Sequence, residues 1–241
     1  MSVQLPLALR WQPEHAFANF WSANASVPAL LEQAASALQG GVFLLVGPAG
    51  SGKSHLLLAT AQRAAQSGPV RYLPMRELIA RSEAVASSEN IVALIVDDVD
   101  SACGDLAWEE RLFHEFNRSQ DRGVLLLASS TLPAQQLRWD LADLKSRLSS
   151  AVQLQLPALS NEARACALRL HAKRYGLDID DGVLRYLETY VTRDLSELNR
   201  LLKTLHDYSL ARARKLTVAN VRAALIEVDA NQMRLFPEGR D

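Results

Sequence analysis

Eight residues, GPAGSGKS at 47–54, restrict what this chain can fold into more than any other stretch of its 241. They satisfy G-x-x-x-x-G-K-[ST] and stand between the apolar run GVFLLV and a helical run over 54–65. That spacing needs a buried strand that ends in a tight loop, with the loop feeding a helix N-terminus. Gly47, Gly50 and Gly52 let the backbone turn so that successive N–H groups, Ser51's included, face one anion, and the helix dipole adds to the attraction. Lys53 brings charge to the β- and γ-phosphates, and Ser54 offers a hydroxyl to Mg²⁺. The ligand these residues predict is ADP or ATP with Mg²⁺.

A strand of this kind is stable only when others share its sheet and helices cover both faces. Short apolar runs at 42–46, 70–73, 91–96, 124–128 and 152–156 predict five parallel strands. Segments of helical length between them, such as 54–65 and 108–118, carry charge on one side and predict βαβ crossovers. After Pro157 the strands stop, and 161–175, 181–189, 194–209 and 218–228 predict helices. Leu195, Leu198, Leu202 and Leu205 recur at three- or four-residue steps, which makes one inward stripe. The expected organisation is a terminal segment over 1–12, an α/β domain over 13–158, an all-helical domain over 159–228 and a tail over 229–241.

With 26 Lys+Arg against 27 Asp+Glu, bulk charge gives no general attraction to DNA or anionic lipid. Cys103 and Cys166 stand far apart, with no metal-ligand spacing around them and no disulfide framework, which fits a reducing cytoplasm. No stretch has the length of a spanning helix, so no membrane contact is expected, and no signal peptide opens the chain.

A metal at the phosphates also needs a carboxylate on a neighbouring strand. IVALIVDD supplies it: Asp97 is placed to hold Mg²⁺, and Asp98 follows where many such ATPases carry Glu. Asp98 is one methylene shorter, which predicts weak intrinsic hydrolysis. Ser129, Ser130 and Thr131 close the apolar VLLLA run, and a hydroxyl there, Ser130 foremost, could face a γ-phosphate. Arg147 stands four residues after Asp143, a spacing that by itself reads as a surface i, i+4 pair.

HAFANF, GSGKSHLL with its His55, VDDVD and LFHEFNR together resemble the AAA+ module of the bacterial replication initiator DnaA and, more closely, the family of its regulatory inactivator, Hda. The likeness spans most of the chain. It implies a P-loop αβα sandwich with a five-stranded parallel sheet, followed by a small helical lid. It implies that Ser129 or Ser130 is sensor 1, that Arg147 in LKSRL is an arginine finger acting on a neighbouring subunit's nucleotide, and that Arg193 in TRDLSEL is the lid's sensor 2.

The initiator's helix-turn-helix domain has no counterpart before Asp241, so DNA is expected to be reached only indirectly. In the inactivator family a short terminal peptide binds the sliding clamp of the DNA polymerase, and Gln4, Leu5, Leu7 and Leu9 of QLPLAL resemble it, although Ala8 stands where proline is expected. QMRLF at 232–236 resembles the clamp pentapeptide as well. The resemblance implies a cytoplasmic, nucleoid-associated negative regulator of replication initiation, at most a weak ATPase, which could also self-associate. Two rivals share the P-loop: a helicase-loading ATPase acting on helicase or single-stranded DNA, and a small-molecule kinase.

Overall fold

The computed structural model describes residues 15–22, 25–38, 40–81, 90–190, 195–212 and 216–235. Gln4, Leu5, Leu7, Leu9, Arg193 and Phe236 lie outside the described residues. The chain divides between Ala158 and Leu159 into two compact units.

The first unit alternates strand and helix. After α1 (Ser26–Ala37) come β1 (Gly41–Val46), α2 (Lys53–Ala64), β2 (Val70–Pro74), α3 (Met75–Ala80), β3 (Ala93–Asp97), α4 (Leu106–Asp121), β4 (Leu125–Ser130), α5 (Ala142–Ser150) and β5 (Val152–Gln155). The five strands are all parallel, in the order β2-β3-β4-β1-β5. β1, β3 and β4 are apolar at nearly every position because both faces of the sheet are covered.

Strand pleat sorts these side chains with period two. Leu44, Val46, Leu94, Val96, Leu126 and Ala128 join Leu78, Leu112, Phe116, Leu144 and Leu148 in one cluster, under α3, α4 and α5. Leu45, Ala93, Ile95, Leu125 and Leu127 join Leu31, Leu56, Leu57 and Ala61 in the other, under α1 and α2. This is the expected αβα sandwich.

The second unit holds α6 (Asn161–Arg174), α7 (Asp181–Tyr190), α8 (Leu195–Arg212) and α9 (Val218–Leu235). Ser160 caps α6 by accepting the Ala163 N–H at 3.1 Å. Asp180, just before α7, accepts the Val183 N–H at 2.7 Å. Leu198, Leu202 and Leu205 are fully buried, with Leu168, Val183, Leu187 and Val221 around them, as the leucine stripe requires.

The structure departs from the sequence reading in three places. β3 starts at Ala93, because Ile91 and Val92 belong to the approach to the strand. The sequence reading named no helix for α1, α3 or α5. α9 runs on to Leu235, so residues 229–235, assigned above to a tail, continue the helix. Among the described residues no helix is long and apolar enough to cross a membrane.

Candidate nucleotide site

The C-terminal ends of β1, β3 and β4 share one edge of the sheet, where ligands of parallel α/β folds bind. Because β4 lies between β1 and β3, the P-loop and Asp97 stand two strand spacings apart, about 10 Å. A phosphate with its metal fits that gap.

Gly50 (φ 74°) and Gly52 (φ 92°) take the left-handed conformation that side chains disfavour. Gly47 is needed for closeness: a Cβ there would stand 2.6 Å from the Leu156 carbonyl oxygen and 2.8 Å from Ser51 Oγ. At Gly50 a Cβ would meet nothing within 4 Å, so the turn of the loop faces open space. Lys53 is buried, and its Nζ donates to the carbonyls of Gly47 at 2.7 Å and Pro48 at 3.1 Å. Ser51 is 2 % exposed and its Oγ has no hydrogen-bond partner. The N–H groups of Gly47 and Ser51 are bonded to the carbonyls of Ser130 at 3.1 Å and Pro48 at 3.3 Å, so the Ser51 N–H does not face outward as the sequence reading expected. A buried hydroxyl left over in a glycine-rich loop at a helix N-terminus is what a phosphate oxygen satisfies. The loop therefore fits a phosphate chain. Ser54 is exposed at the second position of α2, the residue after Lys53.

Phe20 covers this loop from the side. A Cβ on Gly52 would lie 2.6 Å from Phe20 Cε2, so only glycine admits the ring. His55, one turn into α2, meets Phe20 at 5.4 Å and His15 at 5.6 Å between ring centroids, and its Nε2 lies 3.1 Å from the Ala16 carbonyl oxygen. The HAFANF segment is thus the wall of the P-loop helix, and His55 is its attachment point.

Asp97 ends β3 with its carboxylate held at both oxygens. Ser129 Oγ donates to Oδ1 at 2.6 Å and Tyr72 Oη donates to Oδ2 at 2.7 Å. Ser129 Oγ also accepts the Asp98 N–H at 2.9 Å. Burial, helped by the charge of Asp97, pushes the Tyr72 phenol well above its usual range, so it remains a donor.

Pleat separates the two serines. Ser129, like Asp97, turns to the face of α1 and α2, whereas Ser130 turns to the other face. Ser130, singled out above as the candidate hydroxyl for a γ-phosphate, instead closes a local turn by donating to the Leu132 carbonyl at 2.6 Å. Thr131 is likewise engaged: its N–H and hydroxyl both go to Asp100 Oδ2.

Asp98 sits at φ 53°, a left-handed position that Asp tolerates better than most residues. Its carboxyl is raised above the ordinary carboxylate range, mainly by burial and then by Asp97. Arg76 of α3, 3.4 Å away and largely exposed, opposes that shift.

Arg147 belongs to α5. It is exposed, and its guanidinium donates to Gln120 Oε1 of α4 at 3.0 Å. Among the described residues no ion pair joins it to Asp143, so the i, i+4 reading of that spacing does not hold. Sequence reasoning also missed Tyr72 and Arg76, whose contacts come from other elements and leave no local pattern.

A P-loop on β1, a carboxylate on β3 and a hydroxyl on β4 between them define a P-loop nucleotide-binding module of the AAA+ architecture. Domain III of the replication initiation protein DnaA from Thermotoga maritima superposes with a TM-score of 0.71 at 21% identity, covering 90% of this chain and 97% of that one. DnaA from Aquifex aeolicus bound to AMPPCP gives 0.63 at 21% identity, over 81% of this chain and 66% of that one. The Thermotoga maritima Holliday junction motor RuvB gives 0.54 at 18% identity, over 87% and 72%. Residues 161–225 match the family model described as Hda, lid domain. The chain shares the fold of these AAA+ structures, and its residues 161–225 form a lid of the Hda type.

Proposed function

We propose that this protein is a nucleotide-bound negative regulator of replication initiation that lends Arg147 to the ATP site of DnaA. The supporting observation is the contrast in Arg147's surroundings: an always-charged guanidinium on the surface that donates to a neutral amide and, among the described residues, forms no ion pair. A planar, permanently charged fork of this kind stabilises the charge that develops on a transferring phosphoryl group.

In its own cleft the chain binds ADP or ATP. Gly47, Gly50, Ser51 and Gly52 cradle the phosphates, Lys53 leaves its carbonyls to meet them, and Ser54 and Asp97 hold Mg²⁺ directly or through water. When bound, Mg²⁺ neutralises phosphate charge and orients the β- and γ-oxygens. Ser129 and Tyr72 hold the Asp97 carboxylate in place by one hydrogen bond to each oxygen. Asp98, shorter than Glu, left-handed and paired to Arg76, is poorly disposed to orient water, which suits a weak ATPase. Arg193 senses the nucleotide from the lid, and Gln4, Leu5, Leu7 and Leu9 dock on the sliding clamp, so that DNA is met through the clamp.

The test is hydrolysis of ATP by ATP-loaded DnaA in the presence of clamp loaded on DNA. Arg147→Ala should lower the stimulated rate by about a thousandfold or more, while the variant still binds ADP and the clamp. Full stimulation by that variant refutes the reading. Deleting residues 2–9 should abolish clamp binding and leave ADP binding intact.

A further inference from the structure

α5 starts without a cap of its own: its N-cap is Leu141, and no side chain of the segment takes the free N–H groups there. One of them, at Leu141, and the N–H of Asp140 just before it are taken by a residue of another helix. Glu109 of α4 is 0 % exposed, and its Oε2 accepts the Leu141 N–H at 2.6 Å while its Oε1 accepts the Asp140 N–H at 3.2 Å. The same Oε1 accepts the Gly104 N–H at 2.9 Å, from the turn between β3 and α4. A buried carboxylate is tolerated only when its lone pairs are met, and here three backbone donors from two segments meet them. Its negative charge also faces the positive end of the α5 dipole.

The other end of α5 is tied to the same helix, where Gln120 Oε1 accepts from the Arg147 guanidinium at 3.0 Å. At about 3.6 residues per turn, positions 109 and 120 lie three turns apart on nearly the same face of α4. Leu144 and Leu148 fill the space between, in the cluster that holds Leu112 and Phe116. α5 therefore runs alongside α4 and is gripped at its start by a carboxylate and near its end by an amide.

We infer that α4 is a two-point mount for the Arg147 helix, in which Glu109 is a positioning residue that sets where α5 begins and Gln120 sets the direction of the guanidinium. The inference rests on the reading of Arg147 given above. A long side chain that acts on another molecule's phosphate gains from having its helix fixed beforehand, since a misplacement of about 1 Å can cost a hundredfold in rate. Exposure leaves the guanidinium free to be used, so rigidity has to come from the backbone beneath it.

The experiment uses the full chain with ADP in the stimulated hydrolysis assay, with amide hydrogen exchange measured on the same samples. Glu109→Gln offers one acceptor oxygen in place of two and turns an amide toward N–H donors. It should speed exchange over residues 140–148 at least tenfold and lower the maximal stimulated rate at least tenfold. The concentration for half-maximal stimulation and the ADP affinity should stay within twofold. Gln120→Ala, on the surface and harmless to folding, should lower the maximal rate two- to fivefold with exchange near Leu141 unchanged.

Two results overturn the inference: unchanged exchange in Glu109→Gln, or faster exchange with a wild-type maximal rate while Arg147→Ala loses stimulation. A change confined to the half-maximal concentration also counts against it, because that marks a damaged docking face. If Arg147→Ala itself stimulates fully, the finger reading fails, and the exchange data still decide whether Glu109 holds α5. If Glu109→Gln does not fold, Gln120→Ala carries the test alone, and a wild-type maximal rate refutes the mount.

Discussion

The nucleotide cleft and the α5 face solve the same problem, holding a charge in place, by opposite means. In the cleft, Lys53, Asp97 and Ser129 are buried, and each polar head is fixed by direct hydrogen bonds. On α5 the Arg147 head is exposed and bonded to one surface amide, Gln120, while the start of its helix is held at Leu141 by a buried carboxylate. A group that meets a ligand in its own cavity can be desolvated in advance. A group that must reach into a different molecule has to remain in water until contact, so only its support can be made rigid.

Three substitutions in the cleft probe this comparison, in descending order of effect. Lys53→Ala removes a charge-assisted donor worth about 1.5–3 kcal/mol, so ADP affinity measured by calorimetry should fall about tenfold to a hundredfold. Were Lys53 merely closing its loop, affinity would hold and only stability would drop. Ser129→Ala strands the Asp98 N–H and one oxygen of Asp97, at a cost of about 1–3 kcal/mol, read as a lower urea midpoint with an unchanged slope. An exposed substitution such as Arg147→Ala should stay within about 0.5 kcal/mol in the same assay. Equal losses at the two positions would erase the contrast.

The smallest effect concerns Asp98. Its carboxyl is raised in the folded state, so folding favours the protonated form. That stabilisation is complete below the unfolded carboxylate range and is lost as pH rises through the folded value, so at neutral pH the folded protein bears the cost of an ionised Asp98. Asp98→Asn should therefore raise the melting temperature at pH 7, with a gain that shrinks as the pH approaches 4. A gain that grows toward acid would reverse the sign assigned here.

Much of this was legible in the chain because it is written locally. The P-loop, the apolar β1, β3 and β4 and the leucine stripe of α8 are patterns within a few residues of one another. The unread parts are those that depend on distant partners. Tyr72 and Asp97 are 25 residues apart, and Glu109 and Leu141 are 32 apart. α5 escaped notice because a helix without a local cap lacks a start signal when the cap comes from another element. Ser129 and Ser130 look alike in a row of letters, and only the sheet's pleat gives them different neighbours. Gln4, Leu5, Leu7, Leu9 and Arg193 lie outside the described residues, and the roles given to them rest on the resemblance.

Lys53 already clasps two carbonyls of the loop it serves. Those carbonyls keep the ammonium beside the loop, so phosphate oxygens would replace them around a charge that is already in position. Filling the site is then an exchange of partners in place of a refolding of the loop.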